Sequence, residues 1–223
     1  MLAVSGLNVS LTGARILRDV EFALKPGATS VLIGRNGAGK TTLLRALMGL
    51  LPVESGVAIL GGCSLLPLPA FARAPLGIGY APEDRRLIPE FSVEDNIRLP
   101  GLALKLSRAD LARRLDQVYT LLPALRTMRT RPGNSVSGGQ GKIVALGRAL
   151  MTADKLLILD EPFQGLAPAL ALDYARTLSR LRETMQDLTL LITESSPNLL
   201  EAVADETFLI ERGCVTLQVN QAA

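Results

Sequence analysis

Residues 34–41 read Gly-Arg-Asn-Gly-Ala-Gly-Lys-Thr. The octet fits the phosphate-loop pattern G-x-x-x-x-G-K-[ST], with Gly34, Gly39, Lys40 and Thr41 at the fixed places. Val31-Leu32-Ile33 precedes it as a short β-rich run, and Thr42 to Met48 follows as a helix former ending near Gly49. Strand, glycine loop and helix in that order is the context the motif requires. The glycines let successive backbone N–H groups turn toward one anion, and the helix adds about half a positive charge at its N-terminus. Gly34, Arg35, Asn36, Gly37, Ala38 and Gly39, with Lys40, Thr41 and Thr42 entering the helix, are therefore the expected cradle for a nucleoside triphosphate. Lys40 is expected to reach the β- and γ-phosphates, and the Thr41 hydroxyl to ligate Mg²⁺.

On either side of this motif the periodicity changes twice. The first sixty residues alternate in the β manner at 7–10, 20–24 and 57–60, separated by the turn signals Lys25-Pro26-Gly27 and Glu54-Ser55-Gly56. From about residue 92 the period becomes helical. Ser92-Val93-Glu94-Asp95 and Ser107-Arg108-Ala109-Asp110 each resemble a capping box. Leu111, Leu115, Val118, Leu122 and Leu125 mark one apolar face, best read as core packing. Strands return at 156–159, 188–192 and 208–210, the last turning at Glu211-Arg212-Gly213. The sequence thus predicts one α/β domain. Residues 1–79 and 151–223 form the nucleotide-binding core with an antiparallel β part, interrupted over 80–150 by a mostly helical lobe.

Composition narrows the function. The 223 residues carry 24 basic and 21 acidic side chains, a balance that argues against a nucleic-acid partner. An apolar content of 48% and a mean hydropathy of +0.29 are high, yet no apolar run is long enough to cross a bilayer. The first residues lack both the basic and the long apolar segment of a signal peptide. A cytoplasmic protein with a greasy docking surface fits both facts. Cys63 and Cys214 are too few for a zinc site or a disulfide framework, and there is no histidine.

Two further motifs carry chemistry. Four aliphatics from Leu156 run into Asp160-Glu161-Pro162, the pattern of a buried parallel strand delivering carboxylates at its C-terminal edge beside the phosphate loop. Asp160 is expected in the Mg²⁺ shell through water. Glu161 is expected to orient and deprotonate the attacking water, a role contributing about 10²–10⁴-fold. Ser137-Gly138-Gly139-Gln140 heads another helical stretch. Ser137 and Gln140 can close a capping box, but the two glycines are poor helix formers and suit backbone N–H groups approaching an anion. One triphosphate engages both helix tips only if the second comes from another subunit.

Phosphate loop, Ser-Gly-Gly-Gln and aliphatic-Asp-Glu-Pro, in this order, resemble the ATP-binding-cassette ATPases over essentially the whole chain. The stretches 79–86, 92–97 and 161–168 are similar to the ATPase subunits of branched-chain amino-acid importers and their urea-import relatives. The resemblance implies a P-loop NTPase core with a RecA-like mixed, mainly parallel sheet, ATP and Mg²⁺ as ligands, and a seat on the cytoplasmic face of the inner membrane. It also implies two permease subunits, a second ATPase subunit, identical or different, and an extracytoplasmic solute-binding protein. It places Glu83 where most cassettes have a γ-phosphate-sensing Gln, near catalyst and metal, and makes 161–168 the loop linking two nucleotide sites.

Three positions depart from that pattern. Leu11 stands where an aromatic residue usually stacks on adenine, offering apolar contact only, a loss of about 1–3 kcal/mol by analogy with base stacking. Gly141-Lys142 replaces further Gln residues, and the glycine weakens the helix by about 1 kcal/mol. Ser195 occupies the switch position, commonly His or Gln, and is too short to span to a γ-phosphate as they do. Two functions are therefore weighed: an energy-coupling ATPase with Glu161, Lys40, Glu83 and Ser195 at the catalytic centre, and a nucleotide-binding module serving an active partner. A soluble kinase or DNA-repair ATPase is disfavoured by Ser137-Gly138-Gly139-Gln140.

Overall fold

The computed structural model describes residues 1–196, 199–201 and 203–218. Alternation along Leu2–Leu11 (β1) and Ala14–Leu24 (β2) buries Leu2, Val4, Leu7, Val9, Leu17 and Val20, and the two strands pair antiparallel around Thr12-Gly13, both at positive φ. Thr29–Ile33 (β3) then feeds the glycine loop and Lys40–Leu47 (α1). Ser55–Leu60 (β4) and Cys63–Ser64 (β5) complete a four-stranded sheet in the order β2-β1-β4-β5. Buried Arg73 fastens the far end of α1, its Nε donating to the Leu47 carbonyl at 2.7 Å.

Ile78–Ala81 (β6) precedes the helical lobe, which comprises Val93–Ala103 (α2), Arg108–Leu121 (α3), Pro123–Thr127 (α4) and Gly138–Leu150 (α5). Ser92 and Ser107 cap α2 and α3, each hydroxyl accepting the N–H three residues on at 3.0 Å, but the reciprocal half of the expected box does not form, because Asp95 and Asp110 accept from the serine hydroxyls instead. The leucine face is buried except for half-buried Leu115, but it does not lie on one helix: α3 stops at Leu121 because Pro123 cannot continue it, and Leu125 packs from α4. The lobe boundary expected at residue 80 needs correction. Tyr80 and Ala81 belong to the core, paired in parallel with Ile158 and Leu159, and the lobe begins at Pro82. A strand of four residues, Ile78-Gly79-Tyr80-Ala81, is too short to show a period, and Gly79 reads as a breaker. Its glycine serves close packing instead, since a Cβ there would lie 2.3 Å from the Ala149 carbonyl of α5.

Leu156–Asp160 (β7), Pro168–Thr184 (α6), Thr189–Glu194 (β8), Glu206–Glu211 (β9) and Cys214–Gln218 (β10) complete the chain. The main sheet runs β10-β9-β3-β8-β7-β6, parallel throughout except for β10. Its central strands β3, β8 and β7 are buried on both faces. Leu156 and Ile158 join a cluster with α1 and the antiparallel sheet, while Leu157 and Leu159 join one with α5, α6 and the helical lobe. Such double coverage explains why these strands read as continuous aliphatic runs. The C-terminal ends of β3, β7 and β8 meet at one edge, in the crevice where open α/β sheets hold their ligands.

Candidate nucleotide-binding site

The loop from Gly34 to Gly39 adopts the conformation its glycines permit, with Gly37 at φ 81° and Gly39 at φ 112°. Space beside Gly37 is open, whereas Gly34 is demanded by packing: a Cβ there would lie 2.5 Å from the Ile210 carbonyl. A cleft of about 460 Å³ lies in front of the loop, lined by Ile16, Asn36, Gly37, Gly39, Lys40, Thr41, Thr42, Glu83, Glu161 and Gln164. Arg35 and Ala38 line a neighbouring groove against Ile210 to Arg212 instead. Glu83 is exposed on the loop that follows β6.

Lys40 is buried at 4% exposure and held by its own loop. Its Nζ donates to the Gly34 carbonyl at 2.5 Å and the Arg35 carbonyl at 3.3 Å, and stands 3.0 Å from Glu161 Oε1. The Ser195 hydroxyl joins this cluster, 3.4 Å from Lys40 Nζ, donating to Asn36 Oδ1 at 2.9 Å and lying 3.3 Å from Glu161 Oε1. Ser195 is thus within the site, and its hydroxyl reaches protein groups. An ammonium so coordinated needs another anion to be drawn away, and a triphosphate supplies one.

Asp160 is also buried. It accepts from Thr193 Oγ1 at 2.8 Å and from Thr41 Oγ1 at 3.2 Å, with the Tyr80 hydroxyl at 3.4 Å. Burial raises its pKa, opposed by the two threonine hydroxyls. Thr41 and Asp160 form a hard-oxygen pair at the cradle's edge, and no cluster of three or more metal-ligating residues exists among the described residues. That donor set fits Mg²⁺, which takes one or two protein oxygens and completes its shell with phosphate and water.

Glu161 sits in the left-handed region at φ 45°, costing about 1–3 kcal/mol, and its surroundings hold it there. Its N–H meets the Thr193 carbonyl at 3.1 Å and Oγ1 at 3.2 Å, while its own carbonyl accepts from Lys142 Nζ. Two residues on, the Phe163 N–H donates to Glu194 Oε1 at 2.8 Å. Burial raises the Glu194 pKa to about 7, its largest opposing influence being that backbone donor.

Ser137 and Gln140 form the complete capping box at the head of α5: the Ser137 hydroxyl accepts from Gln140 N at 3.2 Å, and Gln140 Oε1 accepts from Ser137 N at 3.0 Å. Gly138 borders a different cleft from the one at Lys40, with Lys142, Arg85 and Gly165. Within one chain the two helix tips do not converge on one anion. Gly141 also acquires a reason, since Arg85 lies over it and a Cβ there would be 3.1 Å from Arg85 Cδ.

Leu11 is the site residue the structure reassigns. It is half-buried against the core of the antiparallel sheet, and the cleft is bordered by Ile16. A register shift between Val9↔Leu17 and Ser10↔Arg15 leaves Ile16 as the extra, bulged residue, which re-aims its side chain. No sequence signal marks such a bulge. Thr193, Glu194 and Lys142 were likewise not named as site residues; an acid ending the aliphatic run 188–192 is the one cue that could have drawn attention to Glu194, because it repeats the pattern of β7.

Strand, glycine loop and helix, a buried lysine facing the acids of a neighbouring parallel strand, and an inserted helical lobe with its own glycine-tipped helix define a phosphate-loop nucleotide-binding domain. The sequence matches the ABC transporter family over residues 17–164. It is 32% identical to the high-affinity branched-chain amino acid transport ATP-binding protein BraG of Pseudomonas aeruginosa, covering all of this chain and 94% of that one. It is also 32% identical to the lipopolysaccharide export system ATP-binding protein LptB of Escherichia coli K12, covering 95% and 87%. A solved ATP-binding subunit of an ABC transporter superposes with a TM-score of 0.85 at 29% identity, covering 99% and 90%. A dimeric cassette bound to ADP and phosphate also has a TM-score of 0.85, at 19% identity and covering 100% of each chain, which extends the likeness in fold. The chain belongs to the ABC transporter family, as an ATP-hydrolysing cassette.

Two predictions follow from this geometry. Ile16→Asp is expected to weaken ATP binding at least tenfold, and Leu11→Asp less than threefold, both read by calorimetric titration of folded protein. Because Glu194 is neutral when buried below about pH 7 but ionises near 4.5 once unfolded, folding takes up a proton between those values. Stability from the neutral acid is full below 4.5 and is lost as pH rises to about 7. Glu194→Gln should therefore be more stable than the parent at pH 8 by about 1–3 kcal/mol, a gain that vanishes near pH 4.5 in denaturant titrations.

Proposed function

We propose that this chain powers an importer of branched-chain amino acids or a related small polar solute, working at the cytoplasmic face of the inner membrane. The observation that carries the reading is Glu161, whose carboxylate lines the cleft of the phosphate cradle, 3.0 Å from Lys40 and one residue from Asp160. Full-length similarity to a branched-chain amino-acid ATP-binding protein supports the solute class. No helix among the described residues is long and apolar enough to cross a membrane, so transport requires permease partners.

The arrangement accounts for each step. Incoming phosphates replace Glu161 as the partner of Lys40, and the released carboxylate takes a proton from the attacking water. Thr41 and Asp160 are the residues that would hold Mg²⁺, which when bound offsets phosphate charge. Glu83 borders the same cleft and monitors the γ-phosphate. A second cassette, identical or different, presents its own Ser137–Gly139 equivalent to this nucleotide, while this chain's tip serves the other. A cleft of about 540 Å³ between core and lobe, bordered by Arg45, Tyr80, Arg86, Leu99 and Arg148, is the seat we assign to a permease segment. A solute-binding protein then acts on the far side of the membrane.

Equal similarity to the lipopolysaccharide export protein supports a second reading, export of a lipid-linked solute. Ser195, engaged by Asn36 and Glu161, supports a third, in which the site hydrolyses slowly and regulates an active partner. Glu161→Gln is expected to lower single-turnover hydrolysis at least 100-fold and to accumulate an ATP-dependent dimer in light scattering. An unchanged single-turnover rate favours the regulatory reading. Reconstituted with its permeases, the parent should hydrolyse faster in response to leucine-loaded binding protein, and indifference to it removes the amino-acid assignment.

A further inference from the structure

Lys142 is the departure from the family pattern to which the proposed mechanism gives no part. It lies on α5, three residues beyond Gly139. None of the ion pairs among the described residues includes it. Its ammonium is partly buried, which lowers its pKa, and the charges of Glu194, Glu83 and Glu161 oppose that shift. Amid these carboxylates it donates to a neutral group, the backbone carbonyl of Glu161.

That carbonyl belongs to the residue at φ 45° whose side chain faces Lys40. Besides its own Gln164 N–H, which donates to the Glu161 carbonyl at 3.3 Å, the backbone of this turn is anchored by three residues from outside it. Thr193 binds the Glu161 N–H and Glu194 the Phe163 N–H, both from β8 of the core; the third anchor, Lys142, comes from the helical lobe. A shift of α5 against the sheet therefore acts on one peptide of the turn while the other two anchors stay with the core. A left-handed residue responds to such a pull by changing φ and ψ, which redirects its side chain.

We propose that Lys142 is a positioning residue, linking the seating of α5 to the aim of the Glu161 carboxylate in the same chain. The relay part rests on the head-to-tail arrangement proposed above, in which the tip of α5 serves the opposite nucleotide. Occupancy of one site is then felt at the catalytic turn of the other through a single lysine.

The experiment compares Lys142→Met, which keeps the length of the stem but removes the donor, with Lys142→Arg, which keeps a donor. For Lys142→Met, kcat should fall about tenfold with the KM for ATP changing less than threefold, and the Hill coefficient should fall toward one. Lys142→Arg should recover most of both. In nucleotide-free protein, hydrogen exchange across residues 161–165 should rise several-fold in Lys142→Met and not in Lys142→Arg. Unchanged kinetics and exchange in Lys142→Met overturn the proposal, as does a loss confined to ATP affinity. If Glu161→Gln fails to dimerise with Mg-ATP, the head-to-tail reading fails and the relay falls with it. The exchange measurement still decides the anchor, because it needs no dimer.

Discussion

Parallel pairing of β7 with β8, in the register that sets Asp160 against Thr193, is the constraint from which the site is built. It places a threonine hydroxyl where it donates to Asp160 at 2.8 Å and accepts from the Glu161 N–H at 3.2 Å. One side chain thus solvates a buried carboxylate and stabilises the sharp turn that follows it. A slip of one residue would turn Thr193 to the opposite face, leaving Asp160 desolvated without that donor and Glu161 without its backbone anchor. The same register seats the aliphatic residues of both strands in the two clusters that cover the sheet. Core packing and catalytic geometry therefore depend on the same alignment.

The buried pair of Lys40 and Glu161 follows from this placement. Removing two opposite charges from water is costly, and their attraction compensates only with good geometry and further hydrogen bonds. Lys40 has both, through the carbonyls of Gly34 and Arg35 and the oxygen of Glu161 at 3.0 Å. The same arrangement makes the cradle selective. A ligand has to offer Lys40 more negative charge than one carboxylate does, and has to leave Glu161 a new partner, which a water aligned for attack can be. A triphosphate meets both conditions, whereas an isolated weak anion meets neither as well.

What could be read from the sequence divides along a physical line. Features written in local chemistry were legible: the glycine loop before α1, the caps Ser92, Ser107 and Ser137, and the aliphatic run into Asp160; Ser195 came only through the family resemblance. Features created by tertiary geometry were not. Tyr80 and Ala81 join the sheet only because β7 is there to pair with them, and Ile16 replaces Leu11 at the cleft because of a bulge that two strands make together. Gly141 looked like a weak point of its helix and Lys142 like a departure from the resemblance; their surroundings supply Arg85 and the Glu161 carbonyl as neighbours. A helix propensity prices a residue in isolation, and these two residues are spent on contacts beyond their own helix.

Charge balance gives the last step. Asp160, Glu161, Glu83 and Glu194 converge on a region whose lysines are Lys40 and Lys142. Arg85 lies in the same region beside Glu83 and Lys142, so four carboxylates face two ammonium groups and a guanidinium before any phosphate arrives. Burial raises the pKa of Asp160 and brings that of Glu194 to about 7, so Glu194 is partly neutral near that pH. The loop's N–H groups and the N-terminus of α1 present positive potential to the anion. A bare triphosphate adds several negative charges, which a divalent cation held by Thr41 and Asp160 would offset. The acids beside the loop would thus make the binding of nucleotide and of such a cation mutually supportive.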